Sequence, residues 1–121
     1  MKLIPSVKGC TRGRYEITID GGNPGAIEIR EIDGNIHARI YAVSPKLTGT
    51  IGGLSGSSSA NAYIMEKECI IYGKGLTLSA RKNLFYNQLI SLIWNFCIEN
   101  ELEVSPIEFD LNKFINLWFE G

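Results

Sequence analysis

The sequence predicts an α+β domain, in which an antiparallel sheet of about five or six strands packs against one long helix and a short C-terminal helix. Two patterns support this prediction. In the runs between Arg14 and Val43, apolar residues alternate with polar ones, which is the period of a half-buried strand; after Ser79, they recur at helical spacing. The chain has 121 residues, of which 45% are hydrophobic, so we expect one core and a single domain spanning residues 1–121.

The first part of the chain is predicted to form consecutive antiparallel strands. Residues 14–20 alternate strictly and end at a glycine-rich break. Strands at 26–32 and 35–43 then flank Asp33-Gly34, a dipeptide that accepts the positive backbone angles of a tight hairpin turn.

The turn also predicts the register of this hairpin. With a two-residue loop, Ile27 lies opposite Ile40, and Glu28 lies opposite Arg39 on the other face. A shift by one residue would mix apolar and charged side chains on each face, so the turn and the alternation support the same register.

Residues 44–61 are rich in glycine and serine, and Lys46 is their only charged residue. A connection of this length is long for a compact domain, although residues 47–51 are compatible with a short edge strand. This segment is predicted to be a mobile loop, with a lid or a segment that orders on binding as the functional alternative.

Residues 60–68 are compatible with either a strand or a helix, because Ser59 is a possible helix cap whereas the apolar residues nearby favour a strand. The strand is favoured at least for residues 69–72. A turn at 73–75 then leads into residues 76–78 as a possible hairpin partner.

Two helices are predicted after this point. Ser79 is a good N-cap, and residues 80–100 contain neither glycine nor proline and are apolar around most of the circumference. Such a helix has to be covered on more than one side. Asp110 offers a second cap, and residues 111–121 carry apolar side chains at i, i+3, i+4 and i+7.

The charge distribution excludes some classes of partner. A formal charge of −1 and a pI near 5.8 argue against a nucleic-acid binder or a protein that binds anionic membranes. Residues 1–14 carry four basic side chains and no acid, whereas residues 83–112 contain no lysine or arginine. The molecule is therefore expected to be electrically polarised if these two regions lie apart.

The cysteines and the apolar runs bear on compartment and cofactors. Three cysteines at wide spacing, with a single histidine, predict neither a disulfide framework nor a metal site, and they fit a reducing cytoplasm. No apolar run reaches the roughly 18 to 20 residues of a membrane span. We expect no cofactor.

Few residues are candidates for catalysis. His37 is the only histidine, and it is predicted to lie across from Arg30 in the hairpin. Glu66 and Glu68 would share one face of a strand, although the intervening lysine fits a solvated edge better than an acid/base pair. Cys10, which has basic neighbours, is the one thiol whose surroundings favour a thiolate, and the most economical interpretation is that it is inert.

The acidic segment between the two predicted helices is the sharpest functional signal. It contains five carboxylates and no basic residue: Glu99, Glu101, Glu103, Glu108 and Asp110. One interpretation is that these carboxylates keep an exposed helix end soluble. However, carboxylates at a helix C-terminus oppose the helix dipole by about 0.3–1 kcal/mol each, so local stability does not explain Glu99 and Glu101. A docking surface for a basic partner is the alternative.

In its size, its shortage of catalytic residues and its acidic clustering, the chain resembles the small immunity proteins with which bacteria neutralise toxins, including those of contact-dependent growth inhibition systems. The resemblance is one of general character. It implies stoichiometric blocking of a toxin domain, which is often a nuclease. Acidic side chains of the immunity protein then cover the basic cleft of the toxin. The five carboxylates are then the expected contact, with Tyr63, Tyr72 or the 44–61 loop in addition. The competing interpretation is a small enzyme or ligand-binding domain with that loop as a lid.

Overall fold

A computed structural model describes residues 1–44 and 63–120, and it confirms the α+β fold with one long and one short helix. The described residues form a sheet of six strands in the order β5-β4-β3-β2-β1-β6. The strands are β1 (Lys2–Thr11), β2 (Arg14–Ile19), β3 (Asn23–Ile32), β4 (Asn35–Val43), β5 (Ile64–Ile71) and β6 (Glu103–Val104). The helices are α1 (Leu78–Glu99) and α2 (Leu111–Glu120), with a short 3-10 turn at Pro106–Glu108 between them.

All neighbouring strands are antiparallel except β1 and β6, which are parallel. The number of strands agrees with the prediction, but the residues that form some of them differ from those predicted. Strands β1 and β6 were not predicted, whereas residues 76–78 are not a strand. The strand proposed for residues 47–51 lies outside the described residues. Of residues 60–68, those from Ile64 onward belong to β5.

The long helix begins earlier than the sequence suggested, so the prediction of Ser79 as its N-cap is wrong. Thr77 is the cap: its backbone is extended, and its hydroxyl accepts a hydrogen bond from the Ala80 N–H at 3.2 Å. Threonine and serine cap helices almost equally well, so propensity alone does not choose between them. Because Leu78 is the first helical residue, residues 76–78 cannot pair as a strand.

The register of the β3–β4 hairpin is as predicted. Ile27 pairs with Ile40 and Glu28 pairs with Arg39. The turn residue Asp33 has a φ of 51°, and the glycine after it has a positive φ as well, as the tight turn requires.

Both helices contribute to one hydrophobic core on the same side of the sheet. Phe85, Leu89 and Phe96 of α1 and Phe114 of α2 are at most 1% exposed. Tyr15 of β2 joins this core, with its ring centroid 5.5 Å from that of Phe114. Of the helices in the described parts of the chain, none is both long and apolar enough to cross a membrane.

The basic start of the chain lies beside the acidic segment, so the condition for a polarised molecule is not met. Lys2 pairs with Glu103 in the sheet, and its ammonium lies 2.8 Å from a carboxylate oxygen of Glu108. Arg12, in the β1–β2 turn, stacks over the Trp118 ring of α2 at 4.4 Å. Contacts between the two ends of the chain thus offset much of the charge separation seen in the sequence.

Candidate functional site

Among the five predicted acidic residues, Glu99, Glu108 and Asp110 each contact another residue of the chain. Glu99, the last residue of α1, lies 2.9 Å from the Lys67 ammonium, and Glu108 pairs with Lys2. Asp110 accepts a hydrogen bond from the Lys113 N–H at 3.1 Å, as expected for the N-cap of α2. These contacts lie at the surface: the side chains of Glu99 and Glu108 are 56% and 39% exposed. Exposed pairs of this kind contribute about 0–1 kcal/mol each.

The carboxylates around Lys2 come from three separate parts of the chain. Asp20, in the β2–β3 turn, accepts a hydrogen bond from the Lys2 backbone N–H at 2.7 Å. Strand β1 lies between β2 and β6, so Asp20 and Glu103 lie on either side of Lys2, about 10 Å apart at two strand spacings. Glu108 approaches the ammonium itself. Three acidic residues from three segments therefore lie next to Lys2, and Glu108 contacts its side chain.

We call the group Asp20, Glu101, Glu103 and Glu108 the acidic surface. Asp20 was missed by the sequence reasoning, because a single turn aspartate carries no signal that it will meet residues more than 80 positions away. Glu101 belongs to the group by its position two residues before Glu103. All four residues are exposed.

Glu101 occupies a backbone position that usually belongs to glycine. Its φ is 56°, and the residues around it close α1 with the Schellman pattern. The Leu102 N–H bonds the Cys97 carbonyl at 2.8 Å, and the Glu101 N–H bonds the Ile98 carbonyl at 3.4 Å. A left-handed conformation costs an L-residue roughly 1–2 kcal/mol. The chain therefore carries a charged side chain at a position where glycine would give a lower conformational energy.

Ile107, in the 3-10 turn, is 92% exposed. It directly precedes Glu108, so a large apolar side chain lies at the border of the acidic surface. Such a residue contributes nothing to the core of this chain. It is a second residue that the sequence analysis did not single out, since its exposure depends on how the turn is oriented.

Tyr63 and Tyr72 lie just outside the two ends of β5 and are 45% and 74% exposed. Nine residue steps of about 3.3 Å each place their Cα atoms roughly 30 Å apart. Strands β5 and β6 are at opposite edges of the sheet, so neither tyrosine lies beside the acidic surface in the strand order. Apart from the buried Ser44, the 44–61 loop lies outside the described residues.

His37 lies across from Arg30, as predicted, on the face of the sheet opposite the helices. Together with Glu28, Arg39 and Glu68 it lines a cleft of about 90 Å³. This is the volume of about three waters, whereas ligand pockets measure roughly 300–1,000 Å³. Among the described residues, the cleft at the imidazole is therefore smaller than an ordinary ligand pocket.

Glu66 and Glu68 share that open face but act as ion-pair partners of one arginine. The Arg39 guanidinium lies 2.8 Å from Glu66 and 4.0 Å from Glu68. It also approaches Glu28 at 3.4 Å, and Glu28 in turn lies 2.8 Å from Arg14. This network uses the carboxylates to balance arginines, which leaves no isolated pair for acid/base work among them.

Burial raises the pKa of all three thiols, most strongly at Cys97, where the pKa rises to about 11. At Cys10, burial outweighs the opposing charge of Lys113, so the basic neighbours in the sequence do not produce a thiolate. Within residues 1–44 and 63–120, no group of three or more histidine, cysteine or acidic residues is arranged to hold a metal ion.

Comparisons with known proteins identify no relative. The chain matches no protein family, no curated protein and no solved structure.

Proposed function

We propose that this protein is a non-catalytic binding protein that neutralises a basic protein partner, in the manner of an immunity protein and its toxin. The acidic surface covers a cationic active site on the partner, for example that of a nuclease. The observation that carries the proposal is the convergence of Asp20, Glu103 and Glu108 from three segments around Lys2.

Like charges are crowded on the acidic surface. The backbones of Asp20 and Glu103 are about 10 Å apart at two strand spacings, which is roughly one Debye length at 0.1 M salt, so these two acidic residues repel each other. A basic partner relieves this repulsion, and its field accelerates the encounter. Glu101 and Ile107 add to the proposal, because a positive φ is unfavourable for an L-residue and an exposed Ile107 contributes nothing to the core.

Because immunity genes are expected beside their toxin genes, isothermal titration calorimetry against the protein encoded by the neighbouring gene tests the proposal. We expect binding to weaken about tenfold between roughly 50 and 300 mM salt, as for an interface dominated by exposed charges. Reversal of Glu101 and Glu103 to lysine should weaken binding by at least about tenfold at low salt. Glu120→Lys is the control for one such reversal, since it replaces an exposed carboxylate at the last residue of α2.

If the double reversal binds as tightly as the wild type, the acidic surface is not the contact. The competing enzyme or ligand-binding interpretation makes a different prediction, namely that His37→Ala abolishes turnover of a small molecule without unfolding the domain. The small volume of the cleft around His37 favours the binding interpretation.

A further inference from the structure

A cleft of about 510 Å³ lies where the β3–β4 hairpin turn, the end of β5 and the beginning of α1 meet. Its walls include Ile36 after the turn, residues 72–76 after β5, and Arg81 in the first turn of α1. Unlike the cleft at His37, it is within the roughly 300–1,000 Å³ of ordinary ligand pockets. Strand β5 is at the opposite edge of the sheet from β6, so this cleft is separate from the acidic surface.

The inner wall of the cleft is apolar. Ile71 and Phe85, which are at most 2% exposed, form this wall together with Ile36, which packs against the border of the core. Tyr72 and Leu76 line the same cleft but are 74% and 47% exposed. Exposed apolar side chains around a concave apolar surface are typical of a binding site. The cleft therefore favours a ligand with an apolar body.

Two cationic side chains and one carboxylate also line the cleft, namely Lys74, Arg81 and Glu31. Among the described residues, none of the three forms an ion pair. The Arg81 guanidinium lies over the Phe119 ring of α2, 5.0 Å from its centroid. This cation–π contact helps to hold the guanidinium in place but provides no carboxylate for its N–H donors.

We propose that this cleft binds a small monoanionic carboxylate with an apolar body. A guanidinium presents its N–H donors in a planar fork, which matches the two oxygens of a carboxylate. Two positive charges and one negative charge give the lining a net charge of +1, which one negative charge on the ligand balances. A phosphate with two negative charges exceeds this charge and is repelled more strongly by Glu31. The assignment does not depend on the proposed function.

Titration of the full chain with 3-phenylpropionate, followed by the backbone amide signals in NMR spectra, tests the site. A ligand of this size binds at about millimolar concentration, so the titration runs from about 0.05 to 20 mM. We expect saturable shifts at Gly73 and Gly75, which line the cleft. The neutral analogue 3-phenylpropan-1-ol has the same apolar body and should bind at least about tenfold more weakly, because it lacks the charge that Arg81 binds.

Arg81→Gln should weaken the binding of 3-phenylpropionate at least about tenfold. Arg12→Gln is the matched control, because Arg12 also lies over an aromatic ring of α2, 4.4 Å from the centroid of Trp118, but does not line the cleft. Lys74→Gln changes an exposed residue and should weaken binding about two- to fivefold. Far-UV circular dichroism verifies that the variants are folded, and Lys74→Gln tests the site independently of Arg81.

Glu31→Gln tests the matching of charge. At about pH 8, phenyl phosphate carries two negative charges and should bind to the wild type more weakly than 3-phenylpropionate. In Glu31→Gln it should bind a few-fold more tightly than in the wild type, because the repelling carboxylate is absent.

Three results overturn the proposal: no saturable binding of 3-phenylpropionate, equal binding of 3-phenylpropan-1-ol, or an unchanged affinity in both Arg81→Gln and Lys74→Gln. Tighter binding of phenyl phosphate than of 3-phenylpropionate by the wild type identifies a phosphate site and overturns it as well.

Discussion

Gly25 lies where β3 and β4 approach so closely that any side chain would collide with the backbone. It is buried in β3 and pairs with Ala42 of β4. A Cβ atom at Gly25 would lie 2.7 Å from the Ala42 Cα and would overlap the Tyr41 carbonyl oxygen. Because both neighbours belong to the backbone, rotation of a side chain cannot relieve the overlap, and the strands have to separate.

The expected effect of Gly25→Ala follows from this geometry. Overpacking of a buried site costs about 1–3 kcal/mol, and we expect the upper part of that range because β4 itself has to shift. A loss of about 2–3 kcal/mol corresponds to a decrease in Tm of roughly 6–12 °C for a domain of this size. Urea denaturation followed by far-UV circular dichroism measures the free energy of unfolding.

Gly22→Ala supplies the matched control, because it makes the same change three residues earlier in the adjoining turn. An added Cβ there would meet only the Ile19 carbonyl oxygen, at 3.8 Å, and the backbone does not require a positive φ. We expect Gly22→Ala to leave stability unchanged or to raise it by about 0.4–1 kcal/mol. Equal effects of the two substitutions would refute the close approach of β3 and β4.

Three further predictions concern the ends and interior of α1. Thr77→Ala should lower the free energy of unfolding by about 1 kcal/mol in urea denaturation, whereas Ser79→Ala should change it little, because only Thr77 caps the helix. Glu101→Gly should raise stability by about 0.5–1 kcal/mol, and a Glu101→Gln variant that gained as much would show that charge rather than φ is responsible. The pKa of about 11 at Cys97 means that the folded state retains a proton that the unfolded thiol loses near pH 9, so stability should fall between about pH 9 and 11. In Cys97→Ala that part of the pH dependence should disappear, and a pH profile identical to that of the wild type would contradict the assignment.

Local patterns determine the parts of the fold that the sequence predicted. The β3–β4 hairpin followed from Asp33-Gly34 together with an alternation that only one register keeps consistent. The two helices followed from their apolar spacing, and Asp110 was recognised as a cap because it immediately precedes such a run.

The remaining parts depend on contacts between distant residues. Strand β1 contains Pro5 and Gly9, and its register with β2 shifts between Pro5 and Cys10, so no simple alternation marks it as a strand. Strand β6 has two residues and forms only because β1 lies beside it. No local pattern could have indicated either.

The candidate site also depends partly on a local pattern and partly on contacts between distant residues. The acidic segment was visible as a run of carboxylates, but its relation to the basic start of the chain was not. The Lys2–Glu108 pair joins residues 106 positions apart, and Asp20 joins the group through a turn in another part of the sheet. The predicted contact residues Tyr63 and Tyr72 are separated by the whole of β5.

Titration of the partner's own activity with increasing amounts of this protein tests the central claim most directly. If the acidic surface covers the partner's active site, activity should fall linearly and reach zero at one equivalent of this chain. The Glu101→Lys, Glu103→Lys double variant should then require a large excess, whereas Glu120→Lys should behave as the wild type. Full activity at several equivalents of the wild-type chain, or equal inhibition by the double variant, would contradict the account.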